Sequence, residues 1–368
     1  MDLIGLAITT AKCLVLAVVL LQVAPIMAWV ERRGSALMQN RLGPNRIGPL
    51  GLFQSLADGI KFMFKEDRIP GHVQPFYYTL APLVSLIPAF MTFAVIPVAE
   101  PLQIGERTIT FSAANLDVGI LYVFAIASLG VYGIIMAGWA SNNKYAMLGS
   151  LRSSSQMISY ELSMGLSVVS LIMLYSSVKL GDIAAGQAAM MKWVIPGVGI
   201  ALEIPKWGVF IQPLSCVIFV TAAFAETNRL PFDLPEGESE IVAGYHLEYG
   251  SMKFAMLMMA EYINMFTASG LIATLYFGGY QFLPGMASAH EFLVAQFALQ
   301  GMEADILRVI FQVIAFATKI GFFMWFFVWV RWTLPRFRYD QLMDLGWKVM
   351  LPLSLLNIFV TGYFIASS

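Results

Sequence analysis

Residues 225–261 read AETNRLPFDLPEGESEIVAGYHLEYGSMKFAMLMMAE, and the kind of fold open to the chain is decided there. The stretch carries Glu226, Asp233, Glu236, Glu238, Glu240, Glu248 and Glu261, seven of the chain's 23 acids. One hydrophobic run leads into it and another grows out of its end. These carboxylates therefore belong to a loop and its flanking helix ends, held at a membrane, and not to a free acidic tail.

The composition agrees. The chain is 58% hydrophobic and 12% charged, where a soluble protein carries about 25% charged residues. Several apolar runs reach the roughly 20 residues that a helix needs to cross a hydrocarbon core of about 30 Å. The fold expected is an all-α polytopic membrane protein, a single integral domain over residues 1–368, with about eight transmembrane helices and one amphipathic helix lying at the interface. The spans fall at 3–30, 76–98, 118–140, 154–176, 205–226, 252–277, 305–331 and 346–366. The first has no basic leader and stays apolar through Val30, too long for the core of a signal peptide, so it is read as retained.

Lys and Arg set the orientation. The odd-numbered loops and adjoining span ends hold fifteen of them and the even-numbered ones four, Arg107, Lys179, Lys192 and Lys206, which places the odd loops on the cytoplasmic or matrix side. Net charge is −1 and gives no footing for nucleic acid. Cys13 and Cys216 are far apart, and His72, His246 and His290 are scattered, so no disulfide framework, zinc site or iron–sulfur site is expected. Any redox cofactor belongs to another chain.

Loop one, Glu31 to Gln74, opens with ERRGSALMQNRLGPNRIGP, too rich in Gly, Pro and Arg for a span. In the following LGLFQSLADGIKFMFKED, Phe53, Leu56, Ile60 and Phe64 share one helical face opposite Gln54, Asp58, Lys61 and Lys65. Such a helix lies in the interface, as a plain anchor or as a lintel over an opening for a lipid-like molecule. In RSSSQMISYELSMGLS, Glu161 lies nine residues past Arg152, about 13 Å along a helix, and so inside the membrane. Gln156, Tyr160, Ser163 and Ser167 form a polar stripe beside it, and Gly165 is read as admitting a close neighbour. An ionisable group at that depth points to function.

In the acidic loop, Pro231 and Pro235 break any helix, and Glu236, Glu238 and Glu240 alternate. A solvated loop is one reading. The large apolar neighbours and Arg229 favour a folded one, in which crowded carboxylates cannot all ionise and respond to any nearby charge. Glu261 falls inside span six and Lys319 near the middle of span seven, and a buried lysine there is expected to face Glu161 or Glu261. The last basic loop, RWTLPRFRYDQLMDLGWK, suits a docked subunit or lipid headgroups.

Taken together, ERRGSALMQNRLGPNRIGPLGLFQSLADGIKFMFKED, RSSSQMISYE, AETNRLPFDLPEGESEIVAGYHLEY and RWTLPRFRYDQLM resemble the family of quinone-chamber membrane subunits of respiratory complex I. The resemblance covers most of the chain. It implies a quinone tunnel opening between span one, the interfacial helix and span six, with ubiquinone or menaquinone as substrate and no cofactor on this chain. NAD and iron–sulfur clusters would sit on peripheral partner subunits, and antiporter-like membrane subunits would be further partners, in a bacterial inner or a mitochondrial inner membrane. By motif, Arg32, Asp58, Lys61 and Arg229 would meet the quinone. Glu226, Asp233, Glu236, Glu238, Glu240 and Glu248 would form an acidic funnel coupling quinone reduction to proton translocation, continued by Glu161, Glu261 and Lys319. Ser177–Pro205 and Tyr280–Glu303 match no motif. Alternatives are the homologous subunit of a membrane-bound hydrogenase-type complex, a stand-alone ion transporter, for which neither internal repeats nor paired broken helices are present, and an anchor for peripheral subunits.

Overall fold

The computed structural model describes residues 3–105, 107–194, 201–235, 237, 241–298 and 300–367. In chain order the helices are α1 (Leu3–Met38), α2 (Gln54–Phe64), α3 (Pro75–Phe93), α4 (Gly119–Ala140), α5 (Lys144–Tyr175), α6 (Leu180–Gly186), α7 (Gly208–Ile211), α8 (Pro213–Glu226), α9 (Ser251–Tyr276), α10 (Met286–Gln296), α11 (Met302–Thr333), α12 (Tyr339–Asp344) and α13 (Leu351–Ser367). Two small antiparallel hairpins, Leu102–Ile104 with Arg107–Ile109 and Met190–Val194 with Ala201–Pro205, lie in the even-numbered loops. Among the described residues seven helices are long and apolar enough to cross a membrane, the last of them running from Tyr339 to Ser367 through a π-helical turn at Leu345–Met350.

The fifth expected span is the exception. Its helix, Pro213–Glu226, has 14 residues, about 21 Å at 1.5 Å per residue, short of a full crossing. Pro213 starts it, because a missing N–H costs nothing at the first helical position. Gln212, just before, leaves the helical region (φ −129°, ψ 61°). Its side chain donates to Thr361 Oγ1 (2.8 Å) and accepts from Asn357 Nδ2 (3.0 Å), which ties the break to α13.

The first span runs further than expected. Residues 31–38, read from the sequence as loop, are the last two turns of α1. No proline interrupts them, and Gly34 lets α11 approach: a Cβ there would stand 3.1 Å from both Trp325 and Val328. At 36 residues the helix is about 54 Å long, well beyond a hydrocarbon core of about 30 Å, and carries Glu31 and Arg32 in its last third. In the coil that follows, the Leu50 carbonyl accepts from Trp29 Nε1 and Arg33 Nη1, both at 3.1 Å, which sets the start of α2. At the other end of α2, Ser251 Oγ donates to the carbonyls of Phe62 (3.1 Å) and Lys65 (2.8 Å). The α2 face of Phe53, Leu56, Ile60 and Phe64 is exposed, as an interfacial helix requires.

Elsewhere small residues let helices meet backbone to backbone, the usual source of contact where lipid is as apolar as the core. A Cβ on Gly133 of α4 would fall 2.6 Å from the Ser85 backbone nitrogen of α3, and one on Gly149 of α5 would fall 2.7 Å from Gly244 Cα. The close neighbour expected at Gly165 is absent among the described residues: nothing there lies within 4 Å of its Cβ position. The polar stripe on the same helix holds, with Gln156, Tyr160, Ser163 and Ser167 all buried.

Candidate functional site

The acidic loop and three helices, α1, α9 and α11, build a buried charge network whose hub is Glu31, near the end of α1. Tyr262 donates its hydroxyl to Glu31 Oε2 (2.7 Å), and Arg331 of α11 donates to Glu31 Oε1. Arg229 lies between two carboxylates, 3.6 Å from Glu31 Oε2 and 3.7 Å from Glu261 Oε2, with its guanidinium 4.5 Å above the Tyr262 ring. Tyr245 donates to Glu261 Oε1 at 2.6 Å. Desolvating charge is expensive, and opposite charges with added hydrogen bonds offset that cost. Two carboxylates against two guanidiniums, with two tyrosines as donors, form such a set.

Beyond Glu261 the polar path continues between the helices. A cavity of about 20 Å³ is lined by Glu261, Tyr245, Ser85, Asn264 and Glu226, and a second of about 30 Å³ by Glu226, Asn264, Thr267 and Thr92. One water molecule needs about 10–15 Å³, so each has room for at least one. Glu226, at the C-terminus of α8, lines both. Glu161 of α5 is close enough to repel it electrostatically and accepts a hydrogen bond from Ser128 Oγ of α4. Glu161, Glu226 and Glu261, singled out separately in the sequence, thus come together. Gln156 holds the loop against this assembly, donating to the carbonyls of Ala225 (2.8 Å) and Phe232 (2.9 Å).

At the end of α1 Arg32 donates to Asp58 Oδ2 at 2.6 Å, and Lys61 Nζ stands 4.0 Å from Asp58 Oδ1. Asp233 accepts from Arg336 (3.3 Å). Glu248 accepts from Asn143 Nδ2 (2.8 Å) and lies 3.6 Å from His72 Nε2, while its carbonyl accepts from Tyr78. Tyr249 stacks on Tyr78 at 4.2 Å, and burial beside that ring pushes its hydroxyl pKa up. Glu236, Glu238 and Glu240, the alternating acids of the loop, lie outside the described residues. Among the described residues no three His, Cys, Asp or Glu side chains converge as a metal would need.

Lys319 is placed differently from the expectation. It faces neither Glu161 nor Glu261, and its Nζ donates to the carbonyls of Gly279 (2.8 Å) and Gln281 (2.7 Å), 5.0 Å from the Trp207 ring centroid. An ammonium has three protons to place, and the turn that ends α9 accepts two of them. Nearby, burial together with Glu100 and Asp182 pushes Tyr280 up to about 12. Replacing Lys319 by Met leaves two buried carbonyls without this donor, at about 1–3 kcal/mol each. Lys319→Met is therefore expected to lower stability by about 2–6 kcal/mol in thermal unfolding of the solubilised protein. An unchanged melting temperature would show that the turn stands without the amine.

Glu31, Arg331, Tyr245, Tyr262 and Asn264 belong to the site without having been singled out in the sequence. Glu31 and Tyr262 each adjoin a residue that was, Arg32 and Glu261. Glu261, Asn264 and Thr267 also recur every third residue in an apolar span, a polar pattern that marks a helix face.

The fold and site define a class: an all-α multi-pass membrane protein in which a buried chain of carboxylates, arginines and tyrosines leads from an amphipathic helix to glutamates set among the spanning helices. Residues 11–362 match the family described as NADH dehydrogenase, and the chain belongs to that family. It is 45% identical over 377 residues to an NADH-quinone oxidoreductase subunit of Bdellovibrio bacteriovorus, covering 99% of this chain and 97% of the relative. It is 47% identical over 348 residues to the subunit of the same name from Thermomicrobium roseum, covering 95% and 93%. It is also 45% identical over 342 residues to an NADH-quinone oxidoreductase subunit of Cytophaga hutchinsonii, covering 93% and 92%.

Proposed function

We propose that this chain is the membrane part of the quinone-reduction chamber of a proton-translocating NADH:quinone oxidoreductase, and that it couples quinone reduction to proton movement. The observation carrying the reading is the Arg229 guanidinium, set at nearly equal distance from Glu31 and Glu261. Glu31 adjoins Arg32, which holds Asp58 at the interfacial helix. Glu261 lines the smaller cavity, which Glu226 also lines. A single cation shared by the two sides is the simplest two-state element that both can bias.

In this reading Arg32, Asp58, Lys61 and Arg229 meet the quinone headgroup. Reduction makes the headgroup negative, which draws Arg229 and protons towards the chamber. Loss of its charge beside Glu261 then favours proton uptake there from the cavity side, passed on through Glu226 and Glu161. Asp233 and Glu248 belong to the same acidic funnel, as the loop acids Glu236, Glu238 and Glu240, outside the described residues, are proposed to. Lys319 is left out, because its protons are held by carbonyls of a turn. Quinone, ubiquinone or menaquinone, is the substrate. NAD and the iron–sulfur clusters belong to peripheral subunits, antiporter-like subunits continue the path, and the bacterial inner membrane is the setting that the bacterial relatives favour.

Purification in mild detergent tests this. Iron–sulfur subunits are expected to co-purify, and a photoreactive quinone analogue is expected to label the chain near Arg32 or Asp58. Isolation of the chain alone, or labelling confined to the even-numbered loops, would overturn the proposal.

A further inference from the structure

The two cavities share part of their wall. Besides Glu226, Asn264 lines both, whereas Glu261 lines only the smaller and Thr267 only the larger. Each cavity is also lined by a residue whose buried hydroxyl has no protein partner among the described residues, Ser85 in the smaller and Thr267 in the larger, exposed by 6% and 5%. A buried hydroxyl without a partner is costly unless something supplies one. With room for at least one water and several polar walls, water is the ligand that each cavity fits.

Resting on the function proposed above, we infer that Asn264 is a partition between two hydrated compartments, and that it makes Glu226 the proton-exchange group between them. The reason is chemical. Glu261, Asn264 and Thr267 climb α9 in steps of about 4.5 Å, so the carboxamide stands between the carboxylate side and the hydroxyl side. An amide donates and accepts hydrogen bonds and so anchors water on either face. It takes up no proton at neutral pH. Thr227, the other polar group common to both cavities, spends its hydroxyl proton on the Ala223 carbonyl at 2.9 Å. Among the described residues, a proton moving from the Glu261 compartment to the Thr267 compartment is left with one ionisable carrier, Glu226, which is reached from both.

Bypass in the whole complex tests the partition. Glu226→Gln removes the carrier. Adding Asn264→Ala opens the wall and joins the compartments through water. The double variant is expected to recover quinone-reductase turnover at least fivefold over Glu226→Gln alone, with proton translocation per electron less than half that of the unaltered complex. A double variant as slow as Glu226→Gln would overturn the partition and leave the coupling reading standing; a Glu226→Gln variant that turns over and pumps normally would remove that reading itself. Should the variants fail to assemble, an experimental map of the unaltered complex decides. Ordered water on both faces of the Asn264 carboxamide is expected, and a carboxamide bonded to protein on both faces refutes the inference.

Discussion

Glu226→Gln is expected to lower coupled quinone reduction at least tenfold in an assembled complex, with electron transfer to a soluble artificial acceptor unchanged. The glutamine keeps the size of the side chain and can still hydrogen-bond, but it cannot ionise. Any loss therefore measures the proton and the charge and not the packing. Tenfold corresponds to about 1.4 kcal/mol, modest for a carboxylate that lines both cavities. Its separation from the charge network sharpens the test. Arg229 and Arg331 bond or face Glu31 and Glu261, so removing the Glu226 charge leaves those contacts in place and the chamber's shape with them. The artificial acceptor takes electrons from the peripheral subunits of the proposed complex and controls for assembly. Wild-type coupled turnover in a complex of full subunit content would remove Glu226 from the path.

How far the site could be read from the sequence depended on whether the determining contact was local. The spans were legible because apolar length is a property of each segment, and α2 was legible because its apolar face repeats at helical spacing. The grouping of Glu161, Glu226 and Glu261 was legible in part, since charge inside an apolar run is conspicuous and must find company. What failed needed a partner distant in the chain. Glu31 looked like the first residue of a loop, and only α11, 300 residues on, turns it into a hub through Arg331. A carboxylate partner was expected for Lys319 because backbone carbonyls of an irregular turn leave no sequence signal, yet Gly279 and Gln281 supply the acceptors. The break at Gln212 had a local cue, since Pro213 disfavours helical backbone in the residue before it, but its tie to Asn357 and Thr361 of the last helix did not show in the sequence. Gly165 erred in the other direction: a glycine on a polar helix suggests close approach, but the close approach to α5 comes elsewhere, at Gly149.

Glu31→Leu is expected to cost the largest share of stability of any single change in the charge network, about 3–5 kcal/mol, the range for removing one partner of a buried ion pair. Against a typical net stability of about 5–15 kcal/mol, that is enough to reduce the amount of assembled complex severalfold, read from native gels and thermal unfolding. Exposure decides the size. The Glu31 side chain is 10% exposed and its partner Arg331 26%. The Arg338–Asp340 pair, 74% and 67% exposed, is a surface bridge worth at most about 1 kcal/mol, so Asp340→Asn is expected to melt with the unaltered protein. Glu31→Gln should fall between, since its side-chain carbonyl can still accept from Tyr262 while the charge facing Arg331 is lost. The double variant Glu31→Leu, Arg331→Met separates burial from pairing. If the cost comes from the guanidinium left facing an apolar side chain, removing that guanidinium as well should recover part of it. If the two losses simply add, Glu31 and Arg331 contribute independently, and the hub is held by Tyr262 and Arg229 instead.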